Sequence, residues 1–235
     1  MHISEGILPL PQAAIYSVLA TPFVIASFRQ LRSRKMINPD HTQIPLPLIA
    51  AILFAVTLLP VPVPVAGATS HMCAVPILAL LFGPVAVIAP TAVVLALQAL
   101  FFAHGGLTTL GANILTLGVI GSFSAVRFYR GFRALHLPWI LAAGLSCALG
   151  DALVYVGDAL ILGQALSGQT SFGVITVSVL LGFAPVQAPL AILEGFLLSS
   201  SLVERVRADV VAAGDVLGGL PGLKLTEEAP WSVLR

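Results

Sequence analysis

From His41 to Val126 the chain carries no Asp, Glu, Lys or Arg. A water-soluble fold could not cover a core of that length with so little polar surface. A bilayer can hold such a run, because a helix crossing a hydrocarbon core of roughly 30 Å uses about 20 apolar residues. The rest of the chain agrees: 58% of its 235 residues are hydrophobic and 9% are charged, against about 25% charged in soluble domains. The net charge of +1 offers no nucleic-acid face, since the basic residues cluster beside apolar segments. Cys73 and Cys147 are isolated, so neither a disulfide framework nor a cysteine zinc site is indicated. The chain opens without a basic leader and its first charge is Glu5, which does not read as a signal peptide.

Apolar runs at Leu8–Phe28, Leu46–Leu59, Met72–Phe82, Val85–Phe102, Leu110–Val126, Pro138–Leu162 and Phe172–Ser200 predict an all-α integral membrane protein with about seven transmembrane segments. The third run is too short to cross alone, and Gly83-Pro84 turns it back into the fourth. Pro-rich Leu59–Val65 cannot form regular helix. Irregular backbone at membrane depth survives only where it is buried in protein or lines a cavity, so this segment should border a site. All 11 Lys and Arg lie in Arg29–Lys35, Arg127–Arg133 and the tail from Arg205 onward. The positive-inside rule then places the N-terminus outside and the C-terminus in the cytoplasm of a prokaryotic cytoplasmic membrane. Residues 1–203 form the membrane-embedded domain on this reading, and residues 204–235 a cytoplasmic tail.

Five histidines divide under that topology. His41 and His136 lie beside the inner basic clusters and read as solvated loop residues. His2, His71 and His104 fall at the outer face, which is a weak metal signal. The start of the chain sharpens it. Met1-His2 offers an amine, a peptide nitrogen and an imidazole in two residues. Amine and amide close a five-membered chelate ring, and amide and His2 Nδ1 a six-membered one. Three nitrogens are thereby held nearly coplanar, and one more imidazole would complete a square. Square-planar nitrogen coordination suits Ni(II) or Cu(II) better than Zn(II) or Mg(II).

Met1-His2-Ile3-Ser4-Glu5-Gly6-Ile7-Leu8 resembles the opening of the CbiM/NikM family of cobalt and nickel transport proteins. Gln98-Ala99-Leu100-Phe101-Phe102-Ala103-His104-Gly105-Gly106-Leu107-Thr108-Thr109-Leu110-Gly111-Ala112-Asn113 is similar to that family's long signature almost letter for letter. Gly67-Ala68-Thr69-Ser70-His71 followed by Phe82-Gly83-Pro84, and Pro189-Leu190-Ala191-Ile192-Leu193-Glu194-Gly195, resemble two further blocks. The resemblance extends to about Ser200. It implies the substrate-capture (S) component of an energy-coupling-factor transporter, with Ni(II) or Co(II) as transported substrate and no organic cofactor. It also implies metal held by the Met1 amine, the His2 amide and imidazole, and the His71 imidazole. Implied partners are a transmembrane coupling (T) protein, an ABC ATPase pair and a small accessory membrane subunit. Two departures bear on the choice of metal, which stays open. Met72-Cys73-Ala74-Val75-Pro76 follows His71 where the family continues with Leu and small residues, and Gln187 stands where relatives often carry His.

Other polar residues admit more than one role. Cys73 reads as a small packed hydrophobe sooner than as a ligand. Asp151 and Asp158 share one face of the sixth segment, and an intramembrane carboxylate is a functional candidate by default. Asp158 either orients His71 or His104 or bonds neighbouring hydroxyls. Glu194 suits a partner contact or a buried polar pair. Gly105-Gly106 lacks the strand and Lys of a phosphate loop and fits close backbone approach. Ala13, Ser17, Ala20 and Thr21 are candidates for packing against the coupling protein. A membrane-embedded metal-dependent enzyme and a stand-alone secondary carrier are the alternatives. The chain shows neither two His one helical turn apart with a Glu between them nor inverted repeats with broken helices. No nucleotide-binding motif is present, so the chain is read as non-catalytic.

Overall fold

The computed structural model of the protein describes residues 2–37, 46–63, 69–168 and 170–198. Met1, His41, Gly67, Ala68 and the 204–235 tail lie outside the described residues. The fold is all but wholly helical. In chain order come α1 (Leu10–Ile37), α2 (Leu46–Thr57), a two-residue antiparallel pairing of β1 (Val61–Pro62) with β2 (Thr69–Ser70), α3 (Val75–Phe82) and α4 (Ile88–Phe102). Then α5 (Leu110–Asn113) runs through a π-helical stretch at Ile114–Ile120 into α6 (Gly121–Ala134). After it come α7 (Trp139–Leu166) and α8 (Phe172–Leu193), the last ending in a second π-helical turn at Glu194–Leu198.

Four helical bodies are long and apolar enough to cross a membrane: Leu10–Ser33, Leu110–Ala134, Trp139–Leu166 and Phe172–Phe196. This is a multi-pass membrane protein. The shorter α2, α3 and α4 fall where the sequence places its second, third and fourth apolar runs. At 8 residues and a rise of 1.5 Å per residue, α3 measures about 12 Å, well short of the bilayer core. It begins at Val75, later than the Met72 expected from hydropathy, because Ala74 sits in the left-handed region (φ 55°) and Pro76 opens the first turn. Its end is set by Gly83 at φ 95°, whose N–H returns to the Ala79 carbonyl.

Packing follows from which faces are small. α7 lies between α6 and α8, and α3 packs on α6 and α7. A Cβ on Gly121 would come within 2.9 Å of the Val154 side chain, and one on Gly150 within 3.1 Å of Ala125. With little hydrophobic drive between helices in lipid, such close van der Waals fit is what associates them. Val75, Ile77, Leu78, Leu117, Val154 and Leu162 form the core around that contact. α1 is the contrast, with only 17% of its apolar window buried against 61% for Leu110–Ala134. Leu10, Val18, Leu19, Phe23, Ile25 and Phe28 lie exposed on it, as lipid-facing side chains do.

The few small residues of α1 are not all on that open face. Ala13 and Ala20 are buried at 5% and 2% exposure. A Cβ on Gly111 would clash with the Ser17 backbone, so α1 meets α5 along this stripe. Ala13 and Ala20 are therefore consumed within the chain, which corrects their candidacy for a contact with the coupling protein.

Candidate metal centre

Two non-helical segments meet above the core. One is the start of the chain, residues 2–9, which precedes α1; the other is the stretch from β2 to α3 that carries His71. The loop from α4 to α5, with His104, closes over them.

The N-terminal segment is held by its backbone. Ile3 N–H donates to Asn113 Oδ1 at 2.8 Å, and the Ile3 carbonyl accepts from Asn113 Nδ2 at 3.1 Å and from Thr109 Oγ1 at 2.6 Å. Two residues on, the Glu5 carboxylate accepts from the Thr108 N–H at 3.1 Å and from the Thr108 hydroxyl. Those bonds hold the Glu5 carboxyl below its ordinary pKa. Gly106 makes the approach possible, since a Cβ there would fall 2.6 Å from Glu5 Cα. Gly105 adopts φ +82°, and a Cβ on it would press on His2 Cβ at 3.3 Å. The run from His104 to Asn113, conspicuous in the sequence without an assigned role, is thus a clamp on residues 2–5. Asn113 also marks the start of the π-helical stretch, a departure that often accompanies functional sites.

The His71 segment is held from below by polar groups of α7 and α8. The Tyr155 hydroxyl donates to the His71 carbonyl at 3.1 Å and accepts the His71 N–H at 3.2 Å. The Glu194 carboxylate accepts the Cys73 N–H at 2.6 Å and the Ala74 N–H at 2.7 Å, one on each oxygen. The Cys73 thiol donates to Asp151 Oδ1, Gln187 Nε2 donates to Asp151 Oδ2, and the Ser70 hydroxyl donates to Gln187 Oε1. Every side chain in this network is buried. Burial without partners would be costly; here each carboxylate oxygen has a donor. Glu194 therefore anchors this segment within the chain. Cys73 is turned to Asp151, and no cysteine joins the imidazole cluster among the described residues.

These anchorages bring three imidazoles together. Ligand-capable atoms of His2, His71 and His104 all lie within 4.8 Å of one another. Ring centroids are 4.6 Å apart for His2 and His71, 4.4 Å for His2 and His104, and 5.5 Å for His71 and His104. His2 and His71 are buried, at 2% and 0% exposure. His71 Nδ1 lies 2.8 Å from the Met72 carbonyl, which places a proton on Nδ1 and leaves the Nε2 lone pair bare. His71 Nε2, His104 Nε2 and both ring nitrogens of His2 are buried with no hydrogen-bond partner among the described residues. Buried unpaired nitrogens are rare and call for a reason; a shared cation supplies one. His136 lies elsewhere, exposed and at positive φ in the turn after α6. Asp158 is buried, and its side-chain partner is the Thr116 hydroxyl. It orients neither His71 nor His104 by a hydrogen bond.

Comparison with known proteins places the chain in a family. The model of the CbiM family, described as the cobalt uptake substrate-specific transmembrane region, matches residues 2–210. The chain belongs to the CbiM family. Among relatives, the cobalt transport protein CbiM of Sorangium cellulosum is 38% identical over 231 residues, covering 94% of this chain and 99% of that protein. The cobalt transport protein CbiM of Geobacter sulfurreducens is 40% identical over 226 residues, which are 94% of this chain and 65% of that longer protein. By name these relatives are cobalt transport proteins. A crystal structure of a truncated transition metal transporter superposes with a TM-score of 0.72 at 24% identity, covering 87% of this chain and 99% of that one. A second transition metal transporter gives 0.73 at 23% identity, with 89% and 94% covered. At those identities the likeness is one of fold. The CbiM match takes in both His2 and the whole His104 to Asn113 clamp.

Proposed function

We propose that the chain captures Co(II), with Ni(II) as the runner-up cargo, at the outer face of a prokaryotic cytoplasmic membrane. The ion is bound by the Met1 amine, the His2 amide and imidazole, and the His71 imidazole. What carries this reading is the convergence of unpaired imidazole nitrogens from segments remote in sequence, one of them preset for ligation by its Met72 contact. Four nitrogens in or near a plane suit a late first-row ion. The names of the relatives favour cobalt.

On this proposal the chain makes about seven crossings or partial crossings, with its N-terminus outside. Its C-terminal residues 204–235 reach the cytoplasm. Release of the ion inward is driven by other chains: a membrane coupling protein and an ABC ATPase pair, with a small accessory membrane subunit. Nothing in this chain resembles a nucleotide-binding motif, so the energy enters through those contacts.

The test is direct. Purified protein should bind one Co(II) or Ni(II) per chain, with only nitrogen near the metal by X-ray absorption. His71→Ala should abolish tight binding while leaving expression intact, and His136→Ala should change nothing. A sulfur scatterer, or a His71→Ala protein that binds like the parent, would remove the proposed ligand set.

A further inference from the structure

Glu5 takes no part in that ligand set, yet it is the only exposed carboxylate among the described residues. Resting on the capture reading, we propose that Glu5 is the landing group for the cargo. Its carboxylate holds the hydrated dication in an outer-sphere contact beside the imidazoles, before any water is exchanged for a protein nitrogen.

Three observations converge. First, charge is distributed one-sidedly along the molecule. The exposed Arg29 and Arg32 lie toward the end of α1, and Arg127, Arg130 and Arg133 toward the end of α6. At 1.5 Å per residue, Arg29 is about 28 Å along α1 from Leu10, and Arg127 is about 25 Å along from Leu110. Both spans are several times the screening length of about 8 Å at physiological salt. Asp151, Asp158 and Glu194 are buried, so a hydrated ion does not touch them on approach. The end that carries His2, His71 and His104 thus presents one exposed side-chain charge, Glu5, and no Lys or Arg among the described residues. Second, that charge is fixed and persistent. The Thr108 N–H donates to one carboxylate oxygen at 3.1 Å and the Thr108 hydroxyl to the other, and these bonds hold the carboxyl below its ordinary pKa. Each oxygen keeps a further lone pair, which can accept an O–H of a water on the ion. Third, Glu5 is beside the site. Gly106 lies against Glu5 Cα and Gly105 against His2 Cβ, and consecutive Cα atoms are about 3.8 Å apart.

The chemical consequence is kinetic. An aqua ion exchanges its first water for a protein ligand from within an outer-sphere pair, so the population of that pair multiplies the on-rate and leaves the off-rate alone. A carboxylate raises that population by concentrating dications around itself. Three residues of extended chain span at most about 10 Å. Over that distance in water, one carboxylate enriches a dication roughly fourfold before screening. The enrichment is about threefold at roughly 0.01 M salt and vanishes near 1 M. Glu5 attracts every dication alike, so selectivity stays with the nitrogen donors.

The experiment uses the full-length protein in a non-ionic detergent, mixed anaerobically with Co(II) alone and followed by stopped-flow absorbance of the bound ion. A buffer at about pH 8.5 keeps the free N-terminal amine mostly neutral. The on-rate of the unmutated protein should fall as salt rises from roughly 0.01 M to roughly 1 M. Glu5→Gln, which keeps an acceptor for Thr108, should be about threefold slower at the low end and equal at the high end. Glu5→Asp keeps the charge and should follow the parent's salt dependence. A loosened Thr108 clamp, by contrast, shows in the off-rate at every ionic strength. An on-rate of the unmutated protein that ignores salt overturns the inference while leaving the capture reading standing, even if a variant fails to fold. So does a Glu5→Gln on-rate equal to the parent's at low salt, or slower by the same factor at all salts. An unmutated protein that binds neither Co(II) nor Ni(II) overturns both.

Discussion

The two segments that meet at the candidate site are held by different chemistry. Residues 2–5 are clamped mostly by neutral groups: the buried Asn113 amide and Thr109 hydroxyl on Ile3, and the exposed Thr108 hydroxyl and N–H on the Glu5 carboxylate, the one charged member. The His71 segment is tied to α7 and α8 by buried Glu194, Asp151, Gln187 and Tyr155. Neutral hydrogen bonds each contribute about 0.5–1.5 kcal/mol, and those to charged groups roughly 1.5–3 kcal/mol. The clamp on residues 2–5 has three neutral bonds and two to a carboxylate. The network under His71 has three neutral bonds and four to carboxylates, so it leans more heavily on its acidic groups. It also runs through α8, beside Pro185, Pro189 and the π-helical turn, where a shift of one helix would carry His71 with it.

The largest effect should come from the chain's first atom. If the Met1 amine ligates, one residue added before Met1 destroys the first chelate ring and uptake fails. A tag after Arg235 is silent, and His2→Ala matches the extension. Both losses should exceed the roughly 10–100-fold cost of removing a group that only orients a ligand. Normal transport by the extended protein would show that only the imidazoles are needed.

Acidification should act next. A free amine titrates at about 7.7–8.0 and an imidazole at about 6.5, and each must give up its proton to bind metal. Affinity should fall by orders of magnitude between pH 8 and pH 5. The Glu5 clamp does not share in that loss. A carboxylate with a depressed pKa stabilises the fold at every pH above its ordinary range, and the contribution is lost only as pH falls through the lowered value. Isothermal titration carried below that window separates the two: a profile flat from pH 8 to pH 5 contradicts the nitrogen donors, and a transition confined below pH 4.5 points to the clamp.

Paired substitutions test the contrast itself. Glu194→Gln leaves one acceptor for two backbone N–H groups and should weaken metal binding about 10–100-fold. Asn113→Ala orphans the Ile3 N–H but leaves Thr109 on the Ile3 carbonyl, so its cost should stay near the lower end of about 1–3 kcal/mol. Metal titrations on both proteins, with thermal melts to check folding, should rank Glu194→Gln above Asn113→Ala. The reverse order would mean that the clamp on residues 2–5, and not the network under His71, sets the geometry of the site.

Much of this was legible from sequence, and for physical reasons. Membrane helices announce themselves because lipid forbids charge over long runs, so the apolar segments coincide with the observed helices to within a few residues at most ends. The grouping of His2, His71 and His104 on one face followed from the expected topology, and the structure brings the three together. What could not be read were contacts between segments. Glu194 suggested a partner contact or a buried polar pair, and the structure has it buried and bound to the backbone of Cys73 and Ala74 from 120 residues away. Tyr155 carries no local signal at all: a Tyr in an apolar helix reads as filler until the fold puts its hydroxyl under His71. Thr108, Thr109 and Asn113 were visible as a motif, but their task depends on where residues 2–5 lie.

The smallest effect should come from Asp158, which the sequence suggested as a carboxylate that orients an imidazole. In the structure it reaches neither imidazole, and its side-chain partner is the Thr116 hydroxyl, which is shared with the Ala112 carbonyl. A buried carboxylate with so little compensation costs stability, so an isosteric neutral group that still reaches Thr116 removes a penalty. Asp158→Asn should bind metal like the parent and melt at the same temperature or higher. Asp151→Asn is the internal contrast, because it takes an acceptor from Cys73 and Gln187 and should loosen the His71 segment. If Asp158→Asn instead impairs metal binding as much as Asp151→Asn does, the Asp158 charge acts on the ion through space. Anchorage by hydrogen bonds would then account for only part of what holds a dication in this protein.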